Sequence, residues 1–192
     1  MVVLNKIYTR GGDDGTTALG NDQRRKKYDP RISAYGTIDE LNSVLGVARL
    51  HTAGDAALDA MLARIQNDLF DLGADLASPD KGKGPGGERL SIVEKQVERL
   101  EGEIDQLNEH LAPLRSFVLP GGTPAAAYLH LARTVCRRAE RAIVELSDLP
   151  GESVSPALIK YVNRLSDFLF VASRHVNDGG AQDVLWKPGQ NR

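Results

Sequence analysis

A glycine-rich segment near the N-terminus holds the first residues whose types could do chemistry. It reads Thr9-Arg-Gly-Gly-Asp-Asp-Gly-Thr-Thr17. Glycines let backbone N–H groups turn towards an anion, and the threonine hydroxyls and Arg10 add further donors. Asp13 and Asp14 could bind Mg²⁺ or order the loop, and a basic run, Arg24-Arg-Lys-Lys27, follows closely. The segment therefore predicts anion binding, with an ordinary turn as the alternative.

Several other sites are disfavoured by their sequence context. The chain lacks the Gly-Lys-Ser/Thr sequence of a P-loop. Gly82-Lys-Gly84-Pro-Gly-Gly87 spells G-x-G-x-x-G, but it follows a predicted helix rather than a strand, which argues against a dinucleotide site. The four histidines form no Glu-x-x-His pair, which argues against a di-iron centre, and no metal-ligating residues are predicted. Cys136 is predicted to be a packing residue.

Two predicted helices carry polar faces rich in arginine or amide groups. The fourth helix has an apolar stripe at helical spacing, formed by Tyr128, Leu131, Val135, Ala139, Ala142 and Leu146. Its opposite face holds Arg133, Arg137, Glu140 and Arg141, and that of the fifth helix holds Asn163, Asp167, Phe170 and Arg174. Arginine suits bidentate phosphate contacts. The alternative is a solvated face with i,i+4 charge pairs.

Five helices are predicted to position these residues in one domain spanning residues 1–192. Residues 1–32 show no helical period and form a loop-rich arm, and residues 33–180 form the bundle, with no convincing strand. Capping boxes are predicted at Thr37–Glu40 for the first helix and at Ser91–Glu94 for the third. Thr123-Pro124 and Ser155-Pro156 begin the last two helices. Ser78–Glu88 is predicted to be a mobile break after a second helix over 56–77.

Composition limits the function classes. The 192 residues carry 24 Lys and Arg against 26 Asp and Glu, a net charge of −2. This balance excludes a general nucleic-acid binder, which needs a positive surface. One cysteine excludes intramolecular disulfides. The N-terminus has no signal-peptide pattern, and no apolar run is long enough for a bilayer, so a cytoplasmic protein without a membrane partner is predicted.

Five segments together resemble the PduO-type ATP:cob(I)alamin adenosyltransferases. They are Tyr8-Thr-Arg-Gly-Gly-Asp-Asp-Gly-Thr-Thr17, Tyr35-Gly-Thr-Ile-Asp-Glu-Leu-Asn42, Ser116-Phe-Val-Leu-Pro-Gly-Gly122, Ala132-Arg-Thr-Val-Cys-Arg-Arg-Ala-Glu-Arg141 and Tyr161-Val-Asn-Arg-Leu-Ser-Asp167. The resemblance covers nearly the whole chain, and its specificity comes from five motifs in the right order. The glycine-rich loop at 81–87 and the C-terminal tail match no family pattern.

The resemblance implies a homotrimer of ferritin-like five-helix bundles with active sites between adjacent subunits. Its substrates are ATP, used with Mg²⁺, and cobalamin, and a reductase for Co(II) is a further expected partner. The implied ATP contacts are Thr9, Arg10, Gly11, Gly12, Asp13, Gly15, Thr16, Thr17 and Lys27 in the arm, and Arg137, Arg138, Glu140, Arg141 and Asn163 in the bundle. Arg133 and Asp39 match an inter-subunit ion pair at the corrin site. Phe117 matches an aromatic residue that displaces the lower axial ligand of the corrinoid.

The implied reaction transfers the 5′-deoxyadenosyl group of ATP to cobalt and releases triphosphate. A Co(I) nucleophile attacks the 5′ carbon, so no side-chain nucleophile is required. Catalysis then depends on positioning and on stabilising leaving-group charge, which suits Arg, Lys, Mg²⁺ and backbone N–H groups. Another Mg-ATP-dependent enzyme and a nucleotide-binding or interaction-only helical bundle remain as alternatives.

Overall fold

The computed structural model describes residues 7–79 and 90–192. Its elements are β1 (Thr16–Ala18), β2 (Arg24–Lys26), α1 (Pro30–Arg49), α2 (Ala56–Ala77), α3 (Glu94–Asn108), α4 (Pro124–Ser147) and α5 (Pro156–His175). The predicted all-α bundle of five helices is confirmed. The expectation of no strand is wrong for the arm, where β1 and β2 pair antiparallel as a hairpin too short to show an alternating pattern. None of the helices in the described ranges is long and apolar enough to cross a membrane.

Helices α1 and α4 form the centre of the bundle. α1 packs on α2 and α4, and α5 packs on α4 and α3. Buried leucine, isoleucine, valine and alanine side chains fill the space between them as one core. α2 and α3 meet through a buried carboxylate, since Asp68 accepts hydrogen bonds from Gln96 of α3 at 2.9 Å and from Tyr161 of α5 at 2.7 Å. The result is a rigid frame whose faces can hold side chains in fixed positions.

Three helices begin with a capping side chain followed by proline. The hydroxyl oxygens of Thr123 and Ser155 each accept a first-turn N–H at 3.2 Å, which confirms the predicted starts of α4 and α5. α1 begins in the same way at Asp29, whose carboxylate accepts the Arg31 N–H at 2.9 Å. The bundle therefore starts at residue 30 rather than 33. Proline suits the first helical position because its φ is preset and no N–H is needed there.

Both predicted capping boxes are wrong. Thr37 lies inside α1, where its hydroxyl donates to the Ser33 carbonyl at 2.7 Å instead of capping the helix. α3 begins at Glu94 with Val93 at the N-cap position, and the Gln96 side chain accepts the Val93 N–H at 2.9 Å. A Ser/Thr-x-x-Glu spacing is compatible with a helix interior as well as with a helix start, so the spacing alone does not locate the boundary.

The buried face of α4 is rotated relative to the predicted apolar stripe. Leu131 is 48% exposed, whereas Leu129 and Ala132 are completely buried. Val135, Ala139 and Leu146 are buried as expected. α4 is packed by α1 on one side and by α5 on the other, so its core face is wider than a single stripe and is lined by small residues.

The predicted break at Ser78–Glu88 falls mostly outside the described residues. α2 ends at Ala77 as predicted, with Ser78 in the C-cap position. The Gly82–Gly87 sequence lies entirely in the range that the structure leaves out.

Candidate functional site

The glycine-rich segment forms a loop that closes on the β1–β2 hairpin. Asp14 accepts hydrogen bonds from the Thr16 N–H at 2.9 Å and from the Thr16 hydroxyl at 2.7 Å. Arg24 donates to the Thr16 hydroxyl at 2.9 Å and pairs with Asp14 at 3.3 Å. The bonds from Thr16, followed by the charge of Arg24, lower the pKa of Asp14. Asp14 therefore orders the loop, while Asp13 stays exposed.

Two residues of this loop have a left-handed backbone. Arg10 has a φ of 59° and Gly15 a φ of 77°, both in the left-handed region. Glycine tolerates that region, but arginine rarely adopts it, and such outliers concentrate at functional loops. Lys27 donates its N–H to the Gly15 carbonyl at 3.0 Å, and a methyl group on Gly12 would lie 3.1 Å from the Lys27 Nζ atom. The loop thus places the Lys27 ammonium beside the Gly12 backbone, while the N–H groups of Gly15 and Thr16 are hydrogen bonded within the loop.

The base of the arm is fixed to the bundle by a buried ion-pair cluster. Arg31 is completely buried, and its guanidinium donates to Glu152 at 2.8 and 2.6 Å and to the Leu76 carbonyl at 2.7 Å. Arg25 of β2 donates to the same carboxylate at 3.0 Å. Glu152 lies in the turn between α4 and α5. Sequence analysis missed this cluster, because Glu152 lies more than a hundred residues from both arginines in the chain.

The arginine face of α4 lies on the solvent side of the bundle, as predicted. Arg137 and Arg141 are exposed. Arg138 forms an ion pair with Glu40 of α1. The structure therefore gives Arg138 an acidic partner that the sequence prediction did not include, whereas the charges of Arg137 and Arg141 are available to a ligand.

Glu140 and Asn163 are brought together across α4 and α5. Asn163 donates from Nδ2 to the Glu140 carboxylate at 2.8 Å, and Arg164 donates to Asn163 Oδ1 at 2.7 Å. These two bonds fix both the place and the orientation of the amide. This pair lies at the middle of the predicted second ATP-binding segment.

Helix α1 connects the arm to this arginine face. The Tyr35 hydroxyl interacts with Thr17 of β1, and burial raises the pKa of Tyr35 while the bond to Thr17 opposes that effect. Glu40, the partner of Arg138, follows five residues later, or about 7.5 Å further along the helix axis. The arm loop and the arginine face therefore lie along the same helix.

A cleft of about 550 Å³ opens between α4, α5 and the loop that precedes α4. Its lining residues are Leu114, Arg115, Ser116, Phe117, Val118, Arg133 and Phe170. Two aromatic rings and two guanidinium groups face a space of the size that small-molecule pockets have. The cleft suits a largely apolar ligand that also carries polar groups.

Arg133 is the charged group at the wall of this cleft. It is half-buried, and its Nε has no hydrogen-bond acceptor among the residues described. Burial, together with the charge of Arg137, lowers its pKa. Asp39 is exposed on α1, and no hydrogen bond joins it to Arg133 in the described part of the single chain. The structure thus leaves a buried donor of Arg133 free.

Phe117 projects from its loop, and the C-terminal segment holds that loop. Its side chain is 77% exposed, and the ring lies 6.0 Å from that of Trp186. Trp186 donates its N–H to the Phe117 carbonyl at 2.8 Å, Leu119 donates to Val184 at 2.7 Å, and Ser116 donates from Oγ to the Trp186 carbonyl at 2.7 Å. Sequence analysis missed this contact, since 70 residues separate Ser116 from Trp186 and the tail matched no pattern.

Among the described residues, the cysteine, histidine and carboxylate side chains do not form a nucleophilic or metal centre. Cys136 is buried, donates to the Val162 carbonyl at 3.3 Å, and has its pKa raised by burial, so it is the packing residue that was predicted. Within residues 7–79 and 90–192, no three His, Cys, Asp or Glu side chains cluster so as to hold a metal ion. The arrangement instead offers anion contacts in the arm and an aromatic, cationic cleft.

A family model described as cobalamin adenosyltransferase matches residues 7–176. The chain belongs to the cobalamin adenosyltransferase family. The resemblance seen in the sequence motifs is therefore confirmed. The match begins at the first described residue of the arm and ends one residue after α5, so it includes both the glycine-rich loop at residues 9–17 and the residues that line the cleft.

Similar proteins in this family are known from several bacteria. The corrinoid adenosyltransferase of Mycobacterium tuberculosis is 49% identical over 191 residues, which are 100% of this chain and 97% of that protein. The corrinoid adenosyltransferase of Bacillus subtilis is 42% identical over 186 residues, covering 95% and 92% of the two chains.

A solved structure in the family has the same fold. A variant of the PduO-type ATP:corrinoid adenosyltransferase from Lactobacillus reuteri, complexed with cobalamin and ATP, superposes with a TM-score of 0.84 at 38% identity. The match covers 95% of this chain and 99% of that chain. Because the alignment is nearly complete, the family bundle and its arm account for almost the whole molecule.

Proposed function

We propose that this chain transfers the 5′-deoxyadenosyl group of ATP to the cobalt of cob(I)alamin, giving adenosylcobalamin and triphosphate. The observation that carries this proposal is the pair of sites that α1 and α4 hold together, an anion loop with an arginine face and an aromatic cleft. The Lactobacillus reuteri relative with the same fold was solved with both cobalamin and ATP. That complex supports assigning one substrate to each site.

The arm and the arginine face form the proposed ATP site. The triphosphate contacts are proposed to be Thr9, Arg10, Gly11, Gly12, Asp13, Gly15, Thr16, Thr17 and Lys27, with Arg137, Arg138, Glu140, Arg141 and Asn163 completing the site. Support comes from the Lys27 ammonium beside the Gly12 backbone and from the Glu140–Asn163 bond. Thr16 donates both its hydroxyl and its backbone N–H to Asp14, so its contact with the triphosphate requires that one of these bonds be exchanged.

The residues of the proposed ATP site could hold Mg²⁺ only together with the phosphates of the nucleotide. Mg²⁺ keeps several waters and commonly binds one or two carboxylates plus substrate phosphates, and Asp13 is an exposed carboxylate in the loop. When bound, the ion neutralises charge on the triphosphate leaving group. The lysine and arginine side chains of the arm and of α4 are proposed to neutralise triphosphate charge as well.

The cleft is the proposed corrinoid site. Phe117 is proposed to occupy the lower face of the corrin ring and to keep water and the lower axial base away from cobalt, which makes Co(II) easier to reduce because axial ligands tune metal potentials. Its 77% exposure supports this role, since a buried loop anchor would not project into solvent. A separate reductase is expected to supply the electron.

The active unit is proposed to be a homotrimer with sites between adjacent subunits. Arg133 has a buried Nε without an acceptor among the residues that the structure describes, and Asp39 is exposed on α1. Unsatisfied buried donors are costly and rare. An ion pair between Asp39 of one subunit and Arg133 of the next would satisfy this donor at the corrin site. The protein is expected to work in the cytoplasm.

An anaerobic assay with ATP, Mg²⁺ and chemically reduced cobalamin tests the proposed reaction. We expect spectral conversion to adenosylcobalamin together with release of triphosphate. Another Mg-ATP-dependent enzyme would release phosphate or ADP, and an interaction-only bundle would leave ATP intact. Either of these outcomes, with folded protein and competent reagents, contradicts the assignment.

A further inference from the structure

A buried ion pair joins the end of α5 to the C-terminal segment. Arg174 donates from Nε to Asp183 at 2.8 Å, and the two side chains are only 7% and 2% exposed. Sequence analysis placed Arg174 on the polar face of α5, which is wrong, because the chain after α5 folds back over it. Arg174 also donates from Nη2 to the Ala112 carbonyl at 3.0 Å. One guanidinium therefore fixes both the C-terminal segment and the beginning of the loop before α4.

The other end of that loop is fixed by a buried amide. Asn177 accepts the Thr123 N–H at 3.0 Å and donates to Asp183 at 3.2 Å. Gly122 has a φ of 96°, and a methyl group there would lie 2.3 Å from Asn177 Oδ1, so only glycine fits. The three side chains of Arg174, Asn177 and Asp183, which we call the C-terminal polar cluster, thus hold the loop from residue 112 to residue 123 at both ends.

The segment that follows this cluster makes the contacts to Phe117. Val184 and Trp186 form the two backbone hydrogen bonds with Leu119 and Phe117, and the two aromatic rings lie side by side. Phe117 is too exposed for the apolar core to fix its position. Its placement over the cleft depends on the segment, and the placement of the segment depends on the Asp183 carboxylate immediately before it.

We propose that the C-terminal polar cluster is a set of positioning residues that sets Phe117 over the cleft through residues 184–186. The cluster lies beneath the loop and does not line the cleft, so it acts through the segment rather than on substrate. The kinetic part of this proposal rests on the proposed adenosyl transfer, whereas the structural part does not. The proposal adds a role for a tail outside the matched family region, which ends at residue 176.

The structural part is tested by the fluorescence of Trp186, the single tryptophan of the chain. We expect Asp183→Asn to shift its emission to longer wavelength and to increase quenching by acrylamide, because the segment leaves the loop. Asp178→Asn is the matched control, since it removes an exposed carboxylate from the same segment at a φ of 55° that asparagine tolerates. The control should keep the wild-type spectrum.

The kinetic part is tested on the same proteins. Asp183→Asn should lower turnover from Co(II) about tenfold or more, lower turnover from pre-reduced Co(I) less, and leave the KM for ATP within about twofold. Asp183→Glu, which restores the charge, should recover part of the loss. If Asp183→Asn does not fold, Trp186→Ala provides the second variant, because this partly exposed ring can be removed without opening the core. It should reproduce the selective loss from Co(II).

Three results overturn the proposal. One is an unchanged Trp186 spectrum in folded Asp183→Asn, whatever the activity of the wild type. Another is a shifted spectrum with unchanged turnover from Co(II). The third is a Trp186→Ala protein that loses activity equally from Co(I) and Co(II) or that weakens ATP binding. Failure of the proposed reaction is recognised separately, since the wild-type protein itself would then form no adenosylcobalamin.

Discussion

The arginines of α4 differ in what already balances their charge. Arg138 is paired with Glu40, whereas Arg137 and Arg141 face solvent. Arg133 lies about one helical turn before Arg137; it is half-buried and lines the cleft. The helix thus carries one guanidinium paired with a carboxylate, two that face solvent and one at the wall of the cleft. Their substitutions should therefore give different kinetic signatures.

Arg137→Ala should lower activity through weaker ATP handling while leaving the fold intact, because the side chain is exposed and outside the core. Loss of one charge-assisted phosphate contact costs about 1.5–3 kcal/mol, or roughly ten- to a hundredfold in kcat/KM. Circular dichroism and steady-state kinetics measure the two effects. Lys160→Ala is a control for removing an exposed cation, since its ammonium pairs with Glu94 away from the site. An unfolded Arg137→Ala, or a folded one with wild-type kinetics, would remove Arg137 from the proposed site.

Phe117→Ala should abolish most turnover from Co(II), reduce turnover from pre-reduced Co(I) less, and leave the KM for ATP nearly unchanged. The ring is exposed, so its loss should cost little stability. Phe70→Ala, at a 71% exposed ring on α2, is the matched control and should behave as wild type. Electron paramagnetic resonance with ATP bound should show four-coordinate Co(II) in the wild type only. If the mutant keeps this signal, Phe117 only anchors its loop and has no role at the cobalt.

At the scale of elements, the ends of the helices carry both capping and long-range contacts. Asp55 caps α2 by accepting the Leu58 N–H at 3.0 Å and also pairs with His175 at the end of α5, at 2.8 Å. The Leu58 bond is the main cause of the lowered pKa of Asp55, and His175 adds to it. One carboxylate thus joins the start of α2 to the end of α5.

The stability supplied by Asp55 should depend on pH. Because the folded-state pKa lies below the ordinary value of 3.8, the contribution is present above that value and is lost as pH falls through the lowered pKa. Asp55→Ala should lower the free energy of unfolding by about 1 kcal/mol at pH 7, as expected for a lost N-cap. Asp55→Asn keeps a capping side chain, so its free energy of unfolding should fall by less than that of Asp55→Ala. Urea denaturation at pH 7 and pH 3 checks this, and a deficit of Asp55→Ala that is equally large at both values would contradict it.

The elements that sequence predicted well are those fixed by local chemistry. Thr123-Pro124 and Ser155-Pro156 located two helix starts, because cap and proline act within a few residues. The same combination of capping residue and proline at Asp29-Pro30 was overlooked, because the start of α1 was predicted at Thr37. Thr37 instead hydrogen bonds inside the helix. The arm and the arginine face were found by residue type and by family motif. The Phe117–Trp186 contact was not found, because a pairing so distant in the chain leaves no local pattern.

At the scale of the whole molecule, some groups have no partner among the residues that the structure describes. Arg133 has its unsatisfied Nε, and Val47 and Leu131 are exposed apolar side chains on α1 and α4. These features lie on the two central helices that also carry the proposed site. Contacts with further copies of the chain along α1 and α4 would cover such groups, as the proposed trimer requires.

Mixing two inactive variants tests the inter-subunit pair. Asp39→Asn and Arg133→Lys proteins, mixed under conditions that exchange subunits, should regain activity because about one quarter of randomly formed head-to-tail sites have both wild-type residues. Mass spectrometry should confirm that exchange took place. Each variant alone, taken through the same procedure, is the control. No recovery despite exchange would mean that both residues act within one subunit.

Helix α4 runs unbroken from Pro124 to Ser147 through both proposed substrate sites. Arg133 at the cleft and Arg137 on the phosphate face are separated by four residues, which a helix sets at about 6 Å along its axis. In the proposed sites, the helix would therefore fix the separation of the two substrates. A change in the arm loop would leave this spacing unaltered, because both arginines lie on the same helix. The distance that the transferred group must travel would thus be set by the backbone geometry of α4 and not by the arm.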